Sequence, residues 1–296
     1  MSTRTVTIAA LAGITAVAMA IGSDAVQSAA AGALLHPAHK PMLAGPPAGC
    51  EATTFEGFHV TLSAWHCRPA LRPRATVVLL HGVADNRASW RAAIERFTAA
   101  GFETIAYDSR AHGASTGEAC TYGFFEKQDL RRVLDEVDAR RVVLVGTSLG
   151  AAIALQEAAG DPRISAVVAA ETFSDLRTVA AERVPYLPRS IVDRAFETAE
   201  ERASFVADDV SPLRAASRIT APVLLIHGAD DVDTLADHSR RVYAALAGPK
   251  RLILVPGAGH NHSLSGAPVW KEIDRWIAGA LGDQPRPESS PKRLAM

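Results

Sequence analysis

The sequence predicts a three-layer α/β domain in which a mostly parallel, eight-stranded sheet lies between layers of helices. Six short runs are apolar at consecutive positions, as is typical of parallel strands that are covered on both faces. They are ATVVLL, FETIAY, RVVLVG, ISAVVAA, APVLLIH and KRLILVP. Segments of helical periodicity alternate with these runs, and two strands of alternating polarity precede them. This order implies right-handed crossovers within one domain, residues 50–282.

The first two strands are predicted in the stretch CEATTFEGFHVTLSAWHC, where polar and apolar residues alternate about a turn near Glu56 and Gly57. Cys50 and Cys67 stand at its two ends and could form a disulfide. Counting outward from the turn, however, leaves the two cysteines a few positions out of register. Cys120 makes the number of cysteines odd, so the sequence leaves open one bridge or three free thiols.

Segments of helical periodicity separate the apolar runs and predict the helices that cover the sheet. They are Ser89–Ala99, Phe125–Asp138, Leu149–Ala159, Leu235–Leu246 and Ala267–Leu281. Glycine or proline follows several of them, as a helix end requires.

A long connection interrupts this alternation after the sixth strand. It contains about fifty residues, against the two to six that are typical between a helix and a strand. Its helical patterns are broken at Pro185 and Pro188. Long connections with helices of their own are usually functional. We therefore expect a small helical lid at about residues 172–217, called the lid insertion below.

Both ends of the chain differ in composition from the domain. The uncharged apolar run Val6–Gly22 is short for a membrane span and predicts a signal peptide within residues 1–30, cleaved between Ile21 and Leu34. An uncleaved membrane anchor through residues 6–22 is the alternative. Residues 31–49 are predicted to be a linker and residues 283–296 a flexible tail. We therefore expect an exported protein, periplasmic or secreted.

The charge and composition of the chain argue against several kinds of partner. Its 31 Lys and Arg residues nearly balance 32 Asp and Glu residues, and no basic or acidic block stands out. Nothing therefore indicates a nucleic acid or an anionic surface as partner. No Cys and His spacing resembles a metal site, so no metal is expected.

The stretch RVVLVGTSLGAAIALQEAA places a serine between two glycines, where a strand turns directly into a helix. Such a tight turn strains its central residue, and the strand and helix can pack only if the neighbours lack side chains. Gly146 and Gly150 meet that requirement. The turn would hold the hydroxyl of Ser148 clear of the sheet, near the N-terminus of the following helix. Ser148 is therefore the candidate nucleophile.

A serine hydroxyl needs a base, and the base needs an acid to orient it. Among ten histidines, His260 follows the last strand in a glycine-rich loop and is the preferred base, with His262 as the alternative. His81 and His227 precede glycines at strand ends, where we expect them to shape turns. Candidate acids follow the penultimate strand. They are Asp230, Asp231 and Asp233.

From about Phe55 to Leu281, the chain resembles the α/β-hydrolases. It is most similar to bacterial serine hydrolases with a small helical cap, which resemble serine aminopeptidases and monoacylglycerol lipases. The matching stretches are LLHGVADN, YDSRAHGAS, GTSLG, PVLLIHGADD and PGAGHN. The order of serine, aspartate and histidine along the chain agrees as well.

The resemblance implies further site residues. The acid of the family usually lies four residues after the histidine of an HG pair, which implies Asp231. It also implies an oxyanion hole formed by the backbone N–H groups of Val83 and Leu149. Glu171, just past the sixth strand, is where a minority of the superfamily has its acid, and it is the alternative.

One loop departs from the commoner pattern of the family, because Ala111 stands where glycine is usual. We expect its polar residues to act as scaffolding. They are Asp108, Arg110 and His112. Contact between His112 and the substrate is the alternative for that residue.

These features predict a serine hydrolase that cleaves carboxylic esters of small or medium size, without a metal or organic cofactor. The alternative is an aminopeptidase-like serine peptidase, with Glu171, Asp175 and Glu182 as candidate ligands of a free amine. A non-catalytic binding scaffold is less expected, because such proteins usually lack a triad member. The expected partner is a small-molecule ester, and membrane contact is expected only through an uncleaved N-terminal segment.

Overall fold

The computed structural model describes residues 23–38, 40–137 and 139–282. Its eight strands are β1 (Cys50–Glu56), β2 (Thr61–Cys67), β3 (Thr76–Leu80), β4 (Glu103–Tyr107), β5 (Val142–Thr147), β6 (Ile164–Ala170), β7 (Val223–Gly228) and β8 (Lys250–Val255). They form one sheet in the order β1-β2-β4-β3-β5-β6-β7-β8. Strands β1 and β2 are antiparallel to their neighbours and all other pairs are parallel, which confirms the predicted fold class.

The helices of the described chain are α1 (Ser23–Leu35), α2 (Arg91–Ala99), α3 (Glu126–Glu136), α4 (Leu149–Ala158), α5 (Leu176–Arg183), α6 (Arg189–Ala203), α7 (Pro212–Ala216), α8 (Asp237–Ala245) and α9 (Ala267–Ala280). Two short 3₁₀ helices, Arg87–Trp90 and Ala207–Asp209, complete the set. Five of the α-helices lie within one or two residues of the helices that periodicity predicts.

The sheet separates two apolar layers because successive side chains of a strand point to opposite faces. In β3, Val78 and Leu80 join a core with α3, α4 and α8, whereas Val77 and Leu79 join a core with α2 and α9. All four of these side chains are buried, and each contributes roughly 1.5–3 kcal/mol to the free energy of folding. The central strands are therefore rigid supports for the residues at their carboxyl ends.

The hairpin of β1 and β2 settles the question of the cysteines. Cys50 pairs directly with Cys67 in the ladder, and the two form a disulfide. The turn is centred on Phe58 and His59, with His59 at φ +59°, rather than on Glu56 and Gly57. Counting from the wrong centre produced the apparent shift of register. Cys120 is free and buried.

The lid insertion forms α5, α6 and α7 between β6 and β7. The break between α5 and α6 falls at residues 184–188, which include Pro185 and Pro188. A proline inside a helix lacks the N–H donor, and its ring disfavours the helical conformation of the residue before it, so α5 ends there. Phe173, Phe196 and Phe205 pack in a third apolar cluster, which also includes Ala152 of α4. The insertion is thus fastened to the helix that follows Ser148.

Helix α1, in the N-terminal region, packs against the lid insertion. Ala31 and Leu35 are 0% and 2% exposed and belong to the same cluster as Phe196 of the lid insertion. The guanidinium of Arg202 donates hydrogen bonds to the carbonyl and hydroxyl oxygens of Ser28. Residues 31–35 are therefore helical and in part buried. The prediction that they belong to a linker was wrong. An alanine- and leucine-rich face is more stable packed than exposed.

Some expectations concern residues that lie outside the described part of the chain. These are the apolar run of residues 6–22 and the tail of residues 283–296. Within residues 23–282, apart from positions 39 and 138, no helix is both long enough and apolar enough to span a membrane.

Candidate active site

Ser148 occupies the sharp turn between β5 and α4. Its backbone has φ +49° and ψ −111°, a conformation that costs on the order of 1–3 kcal/mol for a residue with a side chain. Its N–H donates to the carbonyl of Ala170 at 2.8 Å, and its carbonyl accepts from the N–H of Ala152 at 3.1 Å. The neighbouring strand and the first turn of α4 therefore hold the strained turn in place.

The two glycines of the turn are required by close backbone contacts. A Cβ on Gly146 would lie 2.4 Å from the carbonyl carbon of Gly150. A Cβ on Gly150 would lie 2.1 Å from the carbonyl oxygen of Leu80, at the end of β3. Real Cβ atoms do not approach backbone this closely, so α4 can pack against β5 and β3 only with glycine at both positions.

Ser148, His260 and Asp231 form a continuous chain of hydrogen bonds. Nδ1 of His260 lies 2.7 Å from Oδ2 of Asp231, and Nε2 lies 3.1 Å from Oγ of Ser148. Because a carboxylate only accepts, Nδ1 carries the proton and its N–H donates a hydrogen bond to Asp231. Nε2 is then free to accept from the hydroxyl of Ser148. The structure thus brings together the three residues that the sequence selects.

The carboxylate of Asp231 is held ionised by its surroundings. Oδ1 accepts from the N–H groups of Asp233 and Thr234 at 3.0 and 2.9 Å. Burial of the carboxyl favours its neutral form, but hydrogen bonds from His227, His260 and the Thr234 amide outweigh it and hold the pKa of Asp231 well below its usual range. Asp231 therefore remains negative beside the imidazole of His260.

His227 contacts Asp231, the candidate acid, whereas the sequence indicated only that it would shape a turn. Its side chain is completely buried in β7, with Nε2 at 2.8 Å from the carbonyl oxygen of Thr234 and 3.2 Å from Oδ2 of Asp231. Both of these atoms are acceptors, so Nε2 carries the proton. Nδ1 then accepts from the hydroxyl of Ser239 at 2.7 Å. The side chain of His227 thus helps to hold the loop of Asp231 in place through the Thr234 carbonyl and the Asp231 carboxylate.

The loop after β3 lies directly beside the candidate nucleophile. A Cβ on Gly82 would be 3.5 Å from Cβ of Ser148. Val83 follows Gly82, and Leu149 follows Ser148 at the start of α4. Across the described ranges, neither of these two N–H groups donates to any acceptor of the chain. Two backbone N–H groups without an internal acceptor therefore follow directly after Gly82 and Ser148, and free donors of this kind are what an anion-binding site requires.

The N-terminal region also supports this loop, which the sequence did not indicate. The N–H of Lys40 donates to the carbonyl of Ala84 at 3.2 Å, and the side chain of Asn86 donates to the carbonyl of Lys40 at 3.1 Å. The N–H of Cys120 donates to the carbonyl of Leu35 at 2.9 Å. The segment after α1 therefore connects the lid insertion to the loop that carries Val83.

His81 and His112 are scaffolding of this loop. Nδ1 of His81 donates to the carbonyl of Gly82, and Nε2 accepts from the N–H of Ser109 at 2.9 Å. Burial, with a smaller contribution from His112, lowers the pKa of His81 to about 4, so the ring is neutral. Nε2 of the buried His112 accepts from the N–H of Ala84 at 3.4 Å.

The other expected scaffold residues and alternatives are also accounted for. Asp108 pairs with Arg87, and Arg110 pairs with Asp129 at 2.7 Å. His262 is exposed, and its Nδ1 contacts the carbonyl of His260 instead of Asp231 or Ser148. In the described part of the chain, no group of three or more His, Cys, Asp or Glu side chains could hold a metal ion.

The sequence comparison decides the family. A profile of the Alpha/beta hydrolase family matches residues 77–271, which include Ser148, Asp231 and His260. The chain belongs to the alpha/beta hydrolase family.

Relatives of this alpha/beta hydrolase are found among curated sequences and solved structures. An uncharacterised protein of Bacillus subtilis, YqkD, is 30% identical over 229 residues, which cover 72% of this chain and 74% of that protein. An esterase of Pyrococcus furiosus has the same fold, with a TM-score of 0.64, 21% identity, and coverage of 83% of this chain and 97% of the esterase. An acylaminoacyl peptidase of Pyrococcus horikoshii gives a TM-score of 0.65 and 18% identity, covering 80% of this chain and 42% of the peptidase.

Two features of this alpha/beta hydrolase had a weak signal in the sequence. The spacing of His227 and Asp231, four residues apart across a strand end, could have indicated their contact. The alanine-rich run before Leu35 has helical composition, which competes with the linker interpretation.

Proposed function

We propose that the protein is a serine hydrolase that cleaves carboxylic ester bonds of small or medium substrates through an acyl-enzyme. The observation that carries this proposal is the chain of hydrogen bonds from Ser148 through His260 to Asp231, with distances of 3.1 and 2.7 Å. In this arrangement a neutral imidazole faces a serine hydroxyl while a carboxylate fixes its tautomer, which is what activation of a serine requires.

The reaction would take place in two halves. Nε2 of His260 takes the proton of Ser148 as Oγ attacks the ester carbonyl carbon, and the resulting imidazolium gives that proton to the departing alcohol oxygen. In the second half, Nε2 takes a proton from water, whose oxygen attacks the acyl-enzyme. The proton then returns to Oγ as the carboxylic acid leaves. Asp231 stabilises the imidazolium in both halves.

The N–H groups of Val83 and Leu149 would bind the oxyanion of both tetrahedral intermediates. Both are free of internal acceptors, and both border Ser148. One such donor contributes roughly 3–4 kcal/mol to lowering the barrier. No step requires a metal or an organic cofactor.

The surroundings favour ester hydrolysis over aminopeptidase activity. A peptidase that recognises a free amine needs an available carboxylate near the site. The carboxylates considered for that role already have partners. Glu171 accepts from two backbone N–H groups, Asp175 accepts from the hydroxyl of Ser211 at 2.7 Å, and Glu182 pairs with His238 at 2.7 Å. An incoming amine would have to break one of these interactions.

We expect purified protein to hydrolyse p-nitrophenyl esters with C2 to C8 acyl chains and to be nearly inactive on aminoacyl p-nitroanilides. The small lid insertion should limit the acyl length, because each methylene contributes about 0.8 kcal/mol only while it can be buried. A fluorophosphonate probe should label Ser148, as read by peptide mass spectrometry. Labelling at another residue, or faster cleavage of the anilides than of every ester, contradicts the proposal.

We also propose that the protein is exported. The disulfide between Cys50 and Cys67 is of the kind that persists in oxidising compartments, and it supports the interpretation of the apolar run of residues 6–22 as part of a leader. Because Ala31 and Leu35 are buried, a cleavage that preserves this packing falls before α1. The intact mass of protein from its native host should therefore place the first residue near Ser23. Recovery of the full chain in the membrane fraction would instead support an anchor through residues 6–22.

A further inference from the structure

Glu171 lies directly after β6, and the resemblance made it the alternative to Asp231 as the acid. Its backbone has φ +56°, and its N–H donates to the carbonyl of Ile226 in β7 at 2.8 Å. The side chain is only 1% exposed. A left-handed backbone conformation is costly for any residue other than glycine. We interpret this strain at Glu171 as the cost of directing its carboxylate to one particular place.

The carboxylate binds the loop that carries His260. Oε2 accepts from the N–H of Asn261 at 2.7 Å, and Oε1 accepts from the N–H of Ser263 at 3.0 Å. These two donors are the first and the third residue after His260. Within residues 23–282, leaving aside positions 39 and 138, Glu171 forms no ion pair. The backbone of this loop is therefore what compensates the buried charge.

The loop needs such an anchor. It follows β8 through Gly257 and Gly259, and Asn261 adopts φ +64°. Glycine-rich backbone has many accessible conformations, and His260 must be held to within about 0.5 Å to accept from Ser148. Two charge-assisted hydrogen bonds just after His260 restrict the loop where that precision is required.

We infer that Glu171 is a positioning residue for His260, acting through the backbone of residues 261–263 and not through the imidazole. The inference rests on the proposed function. The roles of the two carboxylates are divided, since Nδ1 of His260 is already bound to Asp231 at 2.7 Å. Asp231 fixes the ring, and Glu171 fixes the chain that carries the ring.

The chain provides a matched control in Glu126. This buried carboxylate also holds a loop, because it accepts from the N–H groups of Thr121 and Gly123, each at 2.7 Å. The loop that it holds carries none of the residues of the proposed mechanism. Glu126→Gln should therefore reproduce the loss of stability caused by removing a buried, amide-bound carboxylate, without the loss of activity.

The test compares Glu171→Gln with Glu126→Gln. Glutamine has the shape of glutamate, but its NH₂ group would face one of the two N–H donors and displace the loop. We expect Glu171→Gln to lower kcat about 10²-fold with KM within twofold, since a misplacement of about 1 Å can have that effect. The rate of fluorophosphonate labelling should fall in parallel. Glu171→Asp keeps two acceptor oxygens and should retain more kcat than the glutamine variant.

The pH dependence separates positioning from a general loss of structure. Removing a negative charge near His260 disfavours the imidazolium, so the acidic limb of the kcat profile should move to lower pH in Glu171→Gln and stay in place in Glu126→Gln. Equal kcat and labelling rates in the two glutamine variants would overturn the inference. If Glu171→Gln does not fold, the same comparison is made with Glu171→Asp. Failure of the proposed function is recognised separately, as wild-type protein in which Ser148 is not labelled.

Discussion

Replacement of Ser148 by alanine should reduce ester hydrolysis by about 10⁶-fold, to the background rate, because no other group can form the acyl-enzyme. The fold should remain intact. The side chain of Ser148 forms no cap hydrogen bond with α4, and its hydroxyl contacts only Nε2 of His260 among the described residues. Alanine keeps the Cβ in the strained turn. The measurements are kcat with a short p-nitrophenyl ester, labelling by the fluorophosphonate, and Tm.

A matched control is Ser165→Ala, on β6 and away from the carboxyl ends of the strands, which should keep both activity and labelling. If Ser148→Ala retains a substantial part of wild-type activity while its Tm is unchanged, Ser148 is not the nucleophile and the proposed mechanism is wrong.

Asp231→Asn should lower kcat by about 10⁴-fold, the second largest effect that we expect. Asparagine would present an NH₂ group to the N–H of His260 and to that of His227, so the imidazole would turn or change its tautomer. It would also lose the negative charge that stabilises the imidazolium. Because the pKa of Asp231 lies well below its usual range, the wild-type carboxylate is ionised throughout an ordinary assay range, and the loss should appear at every pH tested.

Asp230→Asn and Asp233→Asn are the controls for that variant, since both residues are exposed neighbours of Asp231 in the same loop. Each should change kcat by less than about tenfold. Neither carboxylate contacts the imidazole of His260, and exposed charges interact weakly. If Asp231→Asn is nearly silent whereas Glu171→Gln abolishes turnover, the acid lies after β6 and the division of roles between the two carboxylates is reversed.

Local sequence patterns were sufficient for the parts of the site that depend on one short stretch. The pair of glycines around Ser148 indicated the turn because no other residue fits against the backbone of β3 and α4. The uniformly apolar runs indicated the parallel sheet because both faces of its strands are buried. The approximate positions of His260 and Asp231 followed from the ends of β8 and β7.

The contacts that could not be predicted join distant parts of the chain. The bond between Glu171 and the loop of Asn261 spans 90 residues, and no local pattern marks it. The turn of the first hairpin was placed wrongly at Gly57, because glycine is the residue that usually adopts the left-handed conformation of a tight turn. In this hairpin, His59 adopts that conformation instead. The last residues of α1, 31–35, were taken for linker because their burial depends on α6, which follows much later.

The packing of α1 on the lid insertion has a consequence for the order in which the molecule is made. Helix α1 precedes its partner α6 by about 150 residues, so their contact has a large sequence separation and closes a long loop. While the ribosome synthesises the intervening strands, Ala31 and Leu35 lack the part of their cluster that Phe196 and Ala199 of α6 provide. Helix α1 can therefore complete its packing only after α6 has been synthesised. Until then, the nascent chain carries an apolar face that is not fully covered.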